Sequence, residues 1–92
     1  MTLEKDLERR FVAAAKGMGC DAEKLVAAGK RGWPDRTVLI PGGKVLFFEL
    51  KTPKGKTSKQ QDLTHGRLRS LGFDVFVVNN LEEALSLLKA YA

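Results

Sequence analysis

Leu3, Leu7, Phe11, Ala14, Ala15 and Met18 recur at helical spacing on one stripe, which predicts an amphipathic helix from Leu3 to about Met18. Thr2 is its expected N-cap, and Gly17 and Gly19 its end. The segment from Asp21 to Ala28 is ambiguous, because Leu25-Val26-Ala27 suits either a short edge strand or a helical turn. Gly29-Lys30-Arg31-Gly32-Trp33-Pro34 reads as a cationic loop with two glycines. Asp35-Arg36 then leads into a strand, Thr37-Val38-Leu39-Ile40. Pro41-Gly42-Gly43 is a hairpin signal, turning the chain into a second apolar run, Lys44-Val45-Leu46-Phe47-Phe48-Glu49-Leu50-Lys51.

The pattern turns polar after Lys51 and becomes helical again at Ser58, which forms a capping-box signature with Gln61. This helix should run to about Leu71 and stop at Gly72, with Gln61, Thr64, Leu68 and Leu71 on one face and Gln61 over the sheet. Phe73 to Val78 is a further strand. Asn80-Leu81-Glu82-Glu83 gives a second capping box, opening a terminal helix that buries Leu81, Ala84, Leu85, Leu88 and Tyr91. With the ambiguous segment as the first short strand, the order is α-β-β-β-α-β-α. That is an α/β domain over residues 1–92, a mixed sheet flanked by helices.

Composition narrows the function classes. A chain of 92 residues with 43% hydrophobic and 29% charged residues has the balance of one ordinary globular domain. No apolar run approaches a membrane span, and the charged start Met1-Thr2-Leu3-Glu4-Lys5-Asp6 does not resemble a signal peptide, so neither membrane nor export is expected. Cys20 stands alone, which points to a reducing compartment and excludes a thiolate metal cluster. Any metal would be a hard cation on oxygen ligands. A formal charge of +5 suggests a polyanionic partner without identifying it.

Candidate chemistry gathers at the end of the second strand. With a side-chain period of two, Glu49 and Lys51 leave one face while Leu50 leaves the other. The hairpin brings Asp35, at the start of one strand, beside Glu49 at the end of its partner. Two carboxylates held together repel unless a cation lies between them. Mg²⁺ accepts such oxygen ligands with positions left for water and phosphate, and it can polarise a phosphodiester. Lys51 could orient a water or stabilise charge developing on phosphorus. Glu8, at the edge of the first helix's buried stripe, is the candidate outer-shell or second-metal carboxylate, with Glu4 one turn earlier as its rival. Against all this stands the simpler reading of Glu49 and Lys51 as a strand-end ion pair. His65 is either a partly exposed helix residue or a group near the phosphate. Trp33 either stacks on a base or anchors its loop. Lys30, Arg31, Arg36, Lys54, Lys56 and Lys59 flank the site and would track phosphates.

Taken together, Gly32-Trp33-Pro34-Asp35-Arg36, Glu49-Leu50-Lys51, Ser58-Lys59-Gln60-Gln61 and Gly72-Phe73-Asp74-Val75-Phe76-Val77-Val78, preceded by the helix glutamate, resemble the PD-(D/E)xK nuclease superfamily. The resemblance is strongest to the small stand-alone VRR-NUC domains found in phage genomes, and it runs over nearly the whole chain in the family's order. It implies a restriction-endonuclease-like fold and Mg²⁺ (with Mn²⁺ able to substitute) on Asp35, Glu49 and the Leu50 backbone carbonyl. It also implies Lys51 as the catalytic lysine, Gln61 near the phosphate, and Glu8 rather than Glu4 as the helix carboxylate. Lys24 matches a family lysine, but Asp21-Ala22-Glu23 before it is more polar than the strand expected there.

The function so implied is a Mg²⁺-dependent DNA endonuclease acting on structured DNA such as four-way junctions or flaps. The protein would be a homodimer in the cytoplasm of a bacterial or phage-infected cell, with Leu81, Leu85, Leu88 and Tyr91 of the terminal helix as candidate interface. The alternatives are a catalytically inactive nucleic-acid-binding module of the same fold, and a basic RNA- or protein-binding domain in which Glu-Leu-Lys is an ion pair.

Overall fold

A computed structural model describes residues 3–25, 29 and 31–92. Seven elements follow one another: α1 (Leu3–Gly17), β1 (Asp21–Glu23), β2 (Arg36–Ile40), β3 (Lys44–Leu50), α2 (Lys59–Ser70), β4 (Asp74–Val78) and α3 (Leu81–Tyr91). The strands form one sheet in the order β1-β2-β3-β4, antiparallel at the first two pairings and parallel between β3 and β4. The α/β class and the α-β-β-β-α-β-α order therefore hold. The first short strand is the polar triplet Asp21-Ala22-Glu23. It is an edge strand, so only Ala22 turns inward and both charged neighbours stay exposed; a hydrophobic pattern could not reveal it. Val26 and Ala27 lie outside the described residues, as does the proposed cap Thr2.

The hairpin between β2 and β3 turns on Gly42 and Gly43, both at positive φ (97° and 91°), where a side chain would be strained. Its register, Arg36↔Phe48 through Ile40↔Lys44, divides the side chains between two faces. Val38, Ile40, Leu46, Phe48 and Leu50 join Phe11 and Ala15 of α1 and Ala84 and Leu88 of α3 in the main core. Phe47 and Val75 turn to the other face and meet Leu68 of α2, with Trp33 against them. The adjacent phenylalanines of β3 thus anchor opposite layers, Phe48 stacking on Phe11 at 4.7 Å and Phe47 meeting Trp33 edge-on at 5.6 Å. Burying each ring contributes roughly 2–3 kcal/mol.

Two expectations about the helices change. The Asn80 side chain caps α3 by accepting from the Glu83 N–H, but the reciprocal bond from Asn80 N–H to Glu83 is absent, so the capping box is half formed. The apolar stripe of α3 covers the sheet, with Leu88 fully buried and Leu81, Leu85 and Tyr91 packed against the core, so it is not an open interface. Larger apolar side chains are left exposed on the α2 side instead, at Leu63, Leu71 and Phe73.

Candidate active site

Continuing the β2–β3 register one step beyond Arg36↔Phe48 sets Asp35 opposite Glu49. Asp35 lies just before β2, and its Oδ2 accepts the Leu50 N–H at 2.8 Å. The next amide, that of Lys51 just past β3, bonds to the Val78 carbonyl of β4 at 2.9 Å. The carboxylate therefore serves a strand amide that β2 does not reach, and it is fixed to the exit of β3.

Asp35 is presented by a loop clamped to α2. Gly32 crosses the first turn of α2 so closely that a Cβ there would lie 2.5 Å from the Gln60 carbonyl oxygen. Thr64 Oγ1 donates to the Arg31 carbonyl just beyond. Trp33 plugs this loop onto Phe47, and its indole Nε1 is buried with no hydrogen-bond partner among the described residues. Of its two readings, the loop anchor is the one the packing supports.

Glu49 is 1% exposed, although it sits one residue from the end of its strand. Gln61 Nε2 donates to its Oε2 at 3.1 Å, and Lys51 Nζ stands 3.7 Å from the same oxygen. Gln61 also completes the capping box of α2: its Oε1 accepts the Ser58 N–H while its own N–H donates to Ser58 Oγ. One side chain thus starts the helix and holds the carboxylate. The other oxygen, Oε1, lies 3.3 Å from His65 Nε2; both atoms are buried and neither makes a hydrogen bond. Burial, then hydrogen bonding to Asp35 and the Asp35 charge, push the Glu49 carboxyl up to about 8, with Lys51 acting in the opposite sense. Burial likewise lowers the pKa of His65, and the nearby Arg69 adds to the shift.

His65 is therefore not the partly exposed helix residue that its sequence suggests, being 1% exposed and aimed at the carboxylate. Its spacing of four from Gln61 was the available signal. The inward stripe of α2 is Gln61, His65 and Leu68, while Thr64 turns toward the Arg31 loop and Leu71 is 58% exposed.

Glu8 is not brought to this cluster. Arg36 Nε donates to Glu8 Oε2 at 2.8 Å and its Nη1 to the Ala22 carbonyl at 3.2 Å. Arg36 pairs with Phe48 in the register and so leaves the sheet on the α1 face, opposite to Glu49. Of the two α1 glutamates, Glu4 is the one whose charge bears on Glu49. Arg36, tied to Glu8, is withdrawn from the proposed phosphate-binding set. Arg31, Lys54, Lys56 and Lys59 are exposed, the three lysines around the connection from β3 to α2; Lys24 is exposed beyond β1; and Lys30 lies outside the described residues.

Among the described residues, no three His, Cys, Asp or Glu side chains converge as a ready metal cage. Two carboxylates side by side, one of them with a buried and unsatisfied oxygen (Glu49 Oε1), fit a cation that completes its shell with water and phosphate, which is the habit of Mg²⁺. No helix among the described residues is long and apolar enough to cross a membrane.

No protein-family model matches the chain. It is 39% identical over 77 residues to a protein named "Putative nuclease p44" of Acyrthosiphon pisum secondary endosymbiont phage 1, covering 84% of this chain and 83% of that one. A solved structure described as a VRR_NUC domain superposes over the whole of both chains with a TM-score of 0.90 at 29% identity. A hairpin that opposes Asp35 to Glu49, a lysine two residues on and a helix glutamine on the carboxylate now stand on the same fold as that domain. The chain belongs to the VRR-NUC family of nucleases.

Proposed function

We propose that the protein is a Mg²⁺-dependent DNA endonuclease that hydrolyses phosphodiester bonds in branched DNA, such as four-way junctions or flaps. The observation that carries this reading is the pairing of Asp35 with buried Glu49 at the exit of β3, with Lys51 two residues on and the Glu49 carboxyl pushed up by burial and by Asp35. A strand-end ion pair with Lys51 would lower its pKa, and the 3.7 Å contact does not offset burial and Asp35.

Asp35, Glu49 and the Leu50 carbonyl would hold Mg²⁺, which when bound polarises the scissile phosphodiester and makes water a better nucleophile. Asp35 is kept in place by the Leu50 N–H and Glu49 by Gln61, so both carboxylates are set before substrate arrives. Lys51, with a side chain 16% exposed, can leave Glu49 and donate to the phosphate oxygens as negative charge grows on them. Arg31, Lys54, Lys56 and Lys59 would grip neighbouring phosphates, giving affinity without sequence preference. Four-way junctions and two-strand cleavage call for two cuts, which a homodimer with two sites delivers. Leu63, Leu71 and Phe73, exposed together on the α2 side, offer an apolar surface to pair the subunits.

Incubating the protein with end-labelled duplex, flap and four-way-junction DNA, with Mg²⁺ and with EDTA, tests the reading. Cleavage confined to Mg²⁺ and strongest on the branched molecules is expected. Cleavage persisting in EDTA, or none on any substrate, would overturn it.

A further inference from the structure

Buried polar atoms are normally hydrogen-bonded, and leaving one unsatisfied costs about 1–3 kcal/mol. Glu49 Oε1 and His65 Nε2 break that rule together, facing each other at 3.3 Å with each residue 1% exposed. The two atoms are close enough that a small rotation of either side chain would bond them. Its neighbour on the inward stripe, Leu68, is apolar, and the polar group facing His65 Nε2 is the Glu49 carboxylate.

Gln61 and His65, one helical turn apart, approach different oxygens of the same carboxylate, Oε2 and Oε1. We propose that His65 is a positioning residue for Glu49, its Nε2–H fixing Oε1 while Gln61 fixes Oε2, so that α2 sets the orientation in which Glu49 meets a divalent cation. The role rests on the metal-dependent reading above. It requires only the neutral imidazole tautomer that carries its proton on Nε2, so no change of protonation is involved. An orienting partner on a carboxylate ligand tightens metal binding, typically by ten- to a hundredfold. His65 does not touch the reacting atoms.

The test compares His65→Leu and His65→Gln with the unaltered protein, measuring Mn²⁺ affinity by calorimetry, cleavage rate at saturating DNA, and DNA affinity in EDTA. Gln has a donor that can reach the same oxygen, and Leu has none. His65→Leu should bind Mn²⁺ at least tenfold more weakly and cleave more slowly, with DNA affinity unchanged, while His65→Gln stays within about threefold of the unaltered protein. Unchanged Mn²⁺ affinity in His65→Leu would overturn the role, and so would an equal loss in both variants, which marks a packing residue. Should His65→Leu fail to fold, a folded His65→Gln with the Mn²⁺ affinity lost would overturn it as well. Failure of the unaltered protein to bind Mn²⁺ refutes the metal reading itself, and the role with it.

Discussion

The Asp35 carboxylate accepts the backbone N–H of Leu50, the residue between Glu49 and Lys51, at 2.8 Å. One hydrogen bond therefore ties the loop carboxylate to the strand segment that carries the other two candidate groups. Removing Asp35 would both delete a candidate oxygen ligand and orphan a strand amide.

Asp35→Ala, Glu49→Ala and Lys51→Ala should each reduce cleavage by roughly a hundredfold or more. DNA affinity should survive, because it resides mainly in Arg31 and the exposed lysines. Asp35→Ala should also lower stability measurably, by about 1–2 kcal/mol for the lost bond to Leu50. Gel-based cleavage, filter binding and urea melts separate the effects. Full activity in Glu49→Ala would end the nuclease mechanism.

Gly32 and Gly29 share the same backbone conformation, φ +74°, but only Gly32 is crowded. An alanine at Gly29 meets strain alone, roughly 1 kcal/mol. At Gly32 the added Cβ runs into the Gln60 carbonyl and the Gln61 Cα, both backbone, and must push the loop off α2. Gly32→Ala should therefore destabilise at least twice as much as Gly29→Ala and lower the cleavage rate by displacing Asp35. Equal melting midpoints for the two variants would show that the loop is not clamped.

The Glu8–Arg36 pair lies half-buried on the α1 face. Glu8→Ala leaves the Arg36 guanidinium without its carboxylate and should cost about 1–3 kcal/mol, with the loss partly recovered in the Glu8→Ala/Arg36→Ala double variant. Cleavage at a temperature where Glu8→Ala is folded should stay within a few-fold of normal. A hundredfold loss under those conditions would return Glu8 to the catalytic set. Glu4→Gln is the sharper probe, since it removes a charge felt at Glu49.

Much of this site was legible before any coordinates, for identifiable reasons. Period two along Lys44–Lys51 put Glu49 and Lys51 on one face, and the hairpin signal at Pro41-Gly42-Gly43 brought Asp35 opposite. The Ser58/Gln61 spacing located the start of α2 and pointed Gln61 at the sheet. Glu8 went astray because a helical stripe shows which way a side chain leans and not which cation will take it; Arg36 claims it from a strand 28 residues away in sequence. The sequence leaves His65 between an exposed and an inward reading because Thr64 and Leu71 suggest a stripe turned by about one residue, and the tie from Thr64 to the Arg31 carbonyl has no sequence signal. In β1 the edge position lets a polar triplet form a strand.

With the α3 stripe spent on the core, self-association should depend on the α2 side. Leu63 and Leu71 are 60% and 58% exposed, so replacing both by serine should not disturb the fold. Light scattering at micromolar concentration should give a mass near twice 10.1 kDa for the unaltered protein and near 10.1 kDa for Leu63→Ser/Leu71→Ser. A monomeric unaltered protein, with and without junction DNA, would end the dimer proposal. A variant that remains dimeric would move the interface elsewhere.

Ionisation of Glu49 should make the metal-free protein less stable as pH rises. In the unfolded chain this carboxyl titrates near 4.5, and in the fold near 8, chiefly through burial and next through Asp35. Below the first value both states hold the proton and pH has no effect through this group. Between the two, the folded chain retains a proton that the unfolded chain has released, so stability falls steadily until Glu49 ionises in both states. The total is on the order of a few kcal/mol. A divalent cation competes with that proton and favours the ionised fold, so its apparent affinity should climb over the same interval and its stabilising effect should be largest above pH 8. Thermal melts from pH 4.5 to 9, in EDTA and in Mn²⁺, compare the protein with Glu49→Gln, which is neutral throughout. In EDTA the unaltered protein should lose stability with rising pH relative to Glu49→Gln, and Mn²⁺ should restore only the former. Parallel curves for the two proteins in EDTA would mean that Glu49 already ionises at its ordinary pH in the fold.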